Sequence, residues 1–136
     1  MADVAIRLAE HHRRCDELFA AAGEAAKAGS WALLAERVAA LREALLEHFR
    51  HEEERIFPFY EEVSGEEGAT EWLCAQHDDM RAMLWALATY AAAEDPQRYR
   101  AELAELQSAF AAHAADEERR MYPVFERMIA AGTLRA

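Results

Sequence analysis

Residues 48–58 read His48-Phe49-Arg50-His51-Glu52-Glu53-Glu54-Arg55-Ile56-Phe57-Pro58, and sixty-five positions later the chain reads His113-Ala114-Ala115-Asp116-Glu117-Glu118-Arg119-Arg120-Met121-Tyr122-Pro123. Both copies follow the pattern His-x-x-x-Glu-Glu-x-Arg-(Ile/Met)-(Phe/Tyr)-Pro. On an α-helix, positions i and i+4 share a face one turn apart, so each histidine and the first glutamate after it project together. An imidazole nitrogen and a carboxylate aimed at one point are ligands suited to a first-row transition metal.

The repeat extends beyond these two stretches. His12 shifted by sixty-five residues lands on His77, and each lies thirty-six residues before its His-x-x-x-Glu partner. Apolar positions follow the same shift: Leu8 matches Leu73, Val38 matches Leu103, Leu41 matches Leu106 and Leu45 matches Phe110. The chain therefore reads as a duplicated two-helix unit, each copy giving one histidine and then a histidine and a glutamate.

Composition bounds the class. At 136 residues the chain is long enough for one domain, residues 1–136, with a real core. Alanine is abundant and glycine and proline are scarce, which favours long helices over strands. A net charge of −11 argues against a nucleic-acid partner, whose phosphates need a basic footprint. There is no run of about eighteen apolar residues to span a membrane, and no apolar signal core near Asp3, so the expectation is a cytoplasmic protein. Cys15 and Cys74 fall inside helical patterns without CxxC spacing, which suggests neither a disulfide framework nor a thiolate zinc site.

Taken in order, residues 3–27 carry the apolar stripe Ala5, Leu8, His12, Cys15, Phe19, Ala22. A rival stripe through Val4, Leu8, His11, Cys15 and Leu18 fits nearly as well, and the repeat chooses His12 because only His12 has a counterpart, His77. Gly29-Ser30 reads as a helix stop followed by an N-cap. The second helix aligns Leu34, Val38, Leu41, Leu45, His48, Glu52, Ile56, Phe59 and Val63, with Pro58 expected to kink it just beyond the histidine–glutamate pair. Residues 64–68 form the turn between the copies. The third helix carries Leu73, His77, Met80, Leu84 and Leu87 and ends near Ala93; Asp95-Pro96 then opens the fourth. That helix aligns Tyr99, Leu103, Leu106, Phe110, His113, Glu117, Met121, Val124 and Met128, with Pro123 placed as Pro58 is, and Gly132 stops it. Four helices of roughly 25–30 residues, about 40 Å long, joined by short connections, predict an all-α, antiparallel up-down-up-down four-helix bundle.

Within those stripes, His12, His48, Glu52, His77, His113 and Glu117 interrupt otherwise apolar faces at similar depth. Buried histidines and carboxylates without partners are costly, and cations among them remove the objection. Glu53 and Glu118 read as solvated or paired to arginines, and His11 and His51 as surface residues. Cys15 reads as a small buried hydrophobe, and Phe49, Phe59, Tyr122, Phe125, Trp85 and Met80 as core or pocket packing.

These residues resemble the hemerythrin family, specifically the bacterial hemerythrin-like HHE domains, over nearly the whole chain. His12-Arg13-Arg14-Cys15-Asp16-Glu17-Leu18-Phe19 resembles the family's first-helix motif, the two His-x-x-x-Glu-Glu segments its second and fourth, and His77-Asp78-Asp79-Met80 its third. The resemblance implies two non-haem iron ions with an oxo or hydroxo bridge. His12 and His48 would hold one ion, His77 and His113 the other, and Glu52 and Glu117 would bridge them. Mixed imidazole and carboxylate ligands suit iron, and manganese as well, better than structural zinc.

One departure bears on function. The oxygen-carrying members have a fifth histidine, four residues from the first on the third helix. Here Leu73 and Arg81 stand at that spacing from His77, and neither offers a lone pair. The histidine-rich site that the resemblance implies points to a binder of O2 or NO for sensing, transport or scavenging, working with a protein redox or signalling partner. The missing fifth histidine favours the alternative, a di-iron redox enzyme in NO or peroxide detoxification or in repair of iron centres.

Overall fold

The computed structural model describes residues 4–132; the expected first helical residue, Asp3, lies outside them. Helix α1 (Val4–Ala28) ends at Gly29, whose φ of 72° suits a residue without a Cβ. Ser30 then accepts a hydrogen bond from the Leu33 N–H at 3.3 Å and starts α2 (Trp31–His51). Without a break in the rod, α2 passes into a π-turn (Glu52–Ile56), closed by the Phe57 N–H donating to the Glu52 carbonyl, and on into α3 (Phe57–Ser64). The loop over residues 65–70 is held by one side chain: the Glu61 carboxylate accepts from the Gly68 N–H at 2.9 Å, the Thr70 N–H at 3.1 Å and the Thr70 hydroxyl. After α4 (Glu71–Ala92), Asp95 accepts from the Arg98 N–H at 3.1 Å, and Pro96 opens α5 (Pro96–Ala130), where no N–H is needed.

Among the described residues the fold is all-helical, four rods with no strand. Helix α1 packs on α2 and α5, and α4 packs on the same two, so the rods form a closed ring. A large apolar cluster takes Cys15 and Phe19 from α1, Leu41, Leu45 and Phe49 from α2, Met80 and Leu84 from α4, and Leu106 and Phe110 from α5. A second, smaller cluster joins Ile56, Phe57, Tyr60, Leu73, Met121 and Phe125. Each fully buried large apolar side chain contributes about 1.5–3 kcal/mol to holding the rods together. Between the two clusters, on α2, α4 and α5 alike, lies a single polar layer.

The matched prolines sit in different backbone: a π-turn precedes Pro58, whereas the chain is α-helical on both sides of Pro123. The apolar stripes also shift near their ends. Phe59, Val63, Val124 and Met128 are only half-buried, and Phe57, Tyr60 and Phe125 fill the core instead. Steps of three and four are equally helical, and beyond Ile56 and Met121 the packing takes the step of four.

A candidate metal centre

The polar layer consists of His12 on α1, His48 on α2, Glu52 at the first position of the π-turn, His77 on α4, and His113 and Glu117 on α5. None is more than 6% exposed. Ligating atoms of His12, His48, Glu52 and Glu117 all lie within 4.8 Å of one another, as do those of Glu52, His77 and His113. Glu52 belongs to both groups.

Hydrogen bonds on the far side of two rings settle their tautomers. His77 Nδ1 lies 2.7 Å from Glu53 Oε2, a carboxylate that can only accept, so Nδ1 carries the proton and donates it. Glu53 is itself gripped by Arg81, whose Nη2 donates to both carboxylate oxygens at 3.0 Å. His113 Nδ1 donates to Gln76 Oε1 at 2.7 Å, and the Gln76 amide is oriented by donating to Asp116 Oδ2 at 3.3 Å. Burial, with Arg81 adding to it, holds His77 at about 3, and burial, with His77 adding to it, holds His113 at about 3. Both rings are therefore neutral at physiological pH, and each turns a bare Nε2 lone pair inward.

Those two lone pairs face each other across 3.0 Å, with Glu52 Oε1 at 2.9 Å from one and 3.3 Å from the other. No proton is left to lie between them. Three electron-rich atoms forming a triangle with edges of 2.9–3.3 Å repel unless a cation joins them. Donors bound at right angles to one first-row ion, about 2.1 Å away, lie ~3 Å apart, which is the triangle found. The donor set thus fits a metal ion on geometry and on tautomer.

The other half of the layer carries the same demand less tidily. His12 Nε2 and His113 Nε2 each lie 3.2 Å from Glu117 Oε1, and His48 Nε2 lies 3.3 Å from Glu52 Oε1. Both nitrogens of His48, His12 Nδ1 and the second oxygens of Glu52 and Glu117 are buried without a hydrogen bond. Burial pushes His48 well below its ordinary value, the nearby imidazoles of His12 and His11 adding to it, and pushes Glu117 up to about 7. Each polar atom left buried and unpaired costs about 1–3 kcal/mol, and several together are a large fraction of the ~5–15 kcal/mol that holds a domain folded. Cations held here would supply the missing partners.

Aromatic rings and a cavity complete the surroundings. His77 is sandwiched between Phe49, 4.3 Å away at 22°, and Phe57, 5.4 Å away at 20°. His12 and His48 meet Phe110 edge-on at 5.6 and 5.9 Å. A cavity of about 140 Å³ between α1 and α2, lined by His11, Arg14, Cys15, Ala44, Glu47 and His48, reaches that side of the layer. Burial pushes the Cys15 thiol up to about 12, so it stays protonated and behaves as an apolar group. The Tyr122 hydroxyl is buried without a partner and is also pushed up to about 12, by burial and by Glu118 and Glu117.

All six side chains singled out in the sequence are brought into this layer. The periodicity left His11 and His12 as rivals; the fold buries His12 in the layer and leaves His11 half-buried, edge-on to His48 at 5.6 Å and to His51 at 5.3 Å. Glu53 pairs with an arginine, as read, but it also orients His77, and that role was missed together with those of Gln76 and Arg81. Their signal is faint in one sequence, because each acts on a residue far along the chain. Trp85, read as packing, is 69% exposed.

Compared with known protein families, residues 4–131 match the family described as the hemerythrin HHE cation binding domain. Comparison with curated proteins and with solved structures gives no match.

Proposed function

We propose that this chain, which belongs to the hemerythrin HHE cation-binding family, is a non-haem di-iron protein that binds a diatomic ligand, O2 or NO, for sensing, transport or scavenging. The family binds cations, and the buried histidine–glutamate layer is where this chain would hold them. The carrying observation is the pair of inward Nε2 lone pairs on His77 and His113, 3.0 Å apart with both Nδ1 protons committed elsewhere. His77 and His113 would hold one ion, His12 and His48 the other, and the carboxylates of Glu52 and Glu117 would be shared. Iron suits this mixed donor set, and manganese is the nearest substitute. A bound iron pair would supply the electrons and the exchangeable coordination position that a diatomic ligand needs.

The chain's own residues contribute orientation and dryness. Glu53 and Gln76 keep the Nδ1 protons of His77 and His113 outward, so both rings present lone pairs to the layer. Phe49, Phe57 and Phe110 cover the rings and exclude water. The reading also takes the chain as one domain running up-down-up-down. Its support is the order of packing: α1 and α4 meet the polar layer before the larger apolar cluster, whereas α2 and α5 meet that cluster first.

A second reading, a redox enzyme acting on NO or peroxide or repairing iron centres, is favoured by one observation. Leu73 is packed in the smaller apolar cluster and Arg81 is bound to Glu53, so neither supplies a fifth nitrogen. No helix of the described residues is long and apolar enough to cross a membrane. A cytoplasmic setting and a separate protein acting as reductant or signalling partner belong to the proposal.

Loading the metal-free protein with ferrous iron under anaerobic conditions, then adding O2 and purging with inert gas, tests both readings. About two irons per chain and a visible spectrum that disappears on purging and returns with O2 are expected. Conversion to a stable diferric spectrum moves the assignment to the redox enzyme. Failure to retain iron or manganese overturns the metal centre itself.

A further inference from the structure

We infer that the two cation positions are unequal: the His77/His113 position fills first, with Glu53, Arg81 and Gln76 as its positioning residues. The inference rests on the metal-centre reading above and adds to it an order of filling by first-row divalent ions. It comes from comparing the surroundings of the four histidines, residue by matched residue, across the sixty-five-residue repeat.

At His77, Glu53 accepts the Nδ1 proton and Arg81 locks Glu53 with two contacts at 3.0 Å. The matched residues around His12 are Glu118 and Asp16. Asp16 stands where Arg81 stands in the other copy, and a carboxylate cannot grip a carboxylate. Glu118 accordingly stays 51% exposed in its side chain, with its oxygen 3.7 Å from His12 Nδ1, beyond hydrogen-bond range. At His113, Gln76 accepts the Nδ1 proton and is itself held by Asp116. Their counterparts around His48 are His11 and His51, and His48 Nδ1 is left buried without a bond. The rings that sandwich His77, Phe49 and Phe57, are matched by Ala114 and by Tyr122, which is half-buried.

The consequence is thermodynamic. A histidine whose tautomer and ring plane are already set gives up little freedom on taking a metal, and a carboxylate behind its Nδ1–H raises its basicity; losing such a partner commonly costs about 10–100-fold in metal affinity. His77 has both advantages, and His113 has the first, its Nδ1–H held by the Gln76 amide oxygen. His12 and His48 have neither, and His48 also borders the α1–α2 cavity.

Anaerobic titration of the metal-free protein with Co(II), read by visible d–d absorption and by calorimetry, is the test. The expected result is two steps, the first at least about tenfold tighter than the second. Glu53→Ala should weaken the first step by about 10–100-fold and leave the second in place, and Glu53→Gln, whose amide oxygen can still accept, should restore part of the loss. Asp16→Arg, on the exposed face of α1, should tighten the second step by drawing Glu118 onto His12, and it stands as an independent check should Glu53→Ala fold poorly. A single step for two ions, or a Glu53→Ala effect confined to the second step, overturns the inference and leaves the metal centre standing. Absence of Co(II) binding by the unaltered protein overturns both.

Discussion

Glu53 and Glu118 hold matched places in two copies of one repeat and end in different surroundings. The first is turned onto His77 and clamped by Arg81; the second reaches toward His12, stops at 3.7 Å and remains in solvent. The backbone differs as well. Glu53 lies in a π-turn, which packs one residue more into its ring than an α-turn does, whereas Glu118 lies on continuous α-helix. Duplication supplies equal side chains; it does not supply equal environments. The inward donors need a matched pattern along each helix, but the groups behind them depend on what the neighbouring helix presents, and there the copies have diverged.

The largest expected effect comes from the residues shared by both halves. Glu117→Ala should remove most bound metal and with it ~4 kcal/mol of stability at an ion concentration a thousand times its Kd, read as metal per chain and as Tm. His48→Ala should lose the ion of its own half and keep the one held by His77 and His113, and His77→Ala against His12→Ala separates the halves. Equal residual metal in those last two variants would erase the difference between the copies, and normal metal in the His48 and Glu117 variants would remove the ligand assignment.

Next is the response of the metal-free protein to acid. His77 and His113 sit at about 3 in the folded chain against an ordinary 6.5, so between those values the unfolded chain binds more protons and stability falls as pH falls. Glu117, raised to about 7 from 4.5, acts in the opposite sense, its contribution fading as pH rises from 4.5 through 7. The histidines outnumber it. Tm should therefore decline on acidification below 6.5 and decline most steeply from 4.5 toward 3, where Glu117 no longer offsets them. A Tm that rises on acidification through this window would contradict the neutral-ring tautomers from which the cation was argued.

Phe57 and Tyr122, again a matched pair, should differ by several kcal/mol. Phe57→Ala removes one face of the His77 sandwich and a buried ring, a loss of about 3–5 kcal/mol in chemical denaturation. Tyr122→Phe deletes a buried hydroxyl that has no partner, and should leave stability unchanged or raise it by about 1 kcal/mol. The smallest effect is expected at His11, where replacement by alanine should change neither metal content nor stability by more than about 0.5 kcal/mol. Loss of metal in that variant, with metal retained in His12→Ala, would show the register of the repeat to be misread.

Much of the fold can be read along the chain. Ser30 and Asp95 cap helices where the side-chain chemistry says they should, and Gly29, Gly65 and Gly132 take positive φ at or just beyond helix ends. The choice of His12 over His11, which periodicity leaves undecided, follows from the sixty-five-residue shift. What could not be read was the π-turn ahead of Pro58, without a match ahead of Pro123, and the burial of Tyr60 and Phe125 in place of Phe59 and Val124. In each case a local pattern permits two outcomes of similar energy, and packing between helices chooses one.

The sequence by itself determined the four helices and the depth at which four histidines and two glutamates interrupt their apolar faces. Those are properties of short spacings, i to i+4, repeated twice, and short spacings survive in any fold the helices adopt. Only the tertiary structure decided which nitrogen of each histidine points inward and how firmly it is held. Those outcomes rest on contacts such as Glu53 with His77 and Gln76 with His113, made between residues on different helices, whose meeting is fixed by the packing of the bundle as a whole.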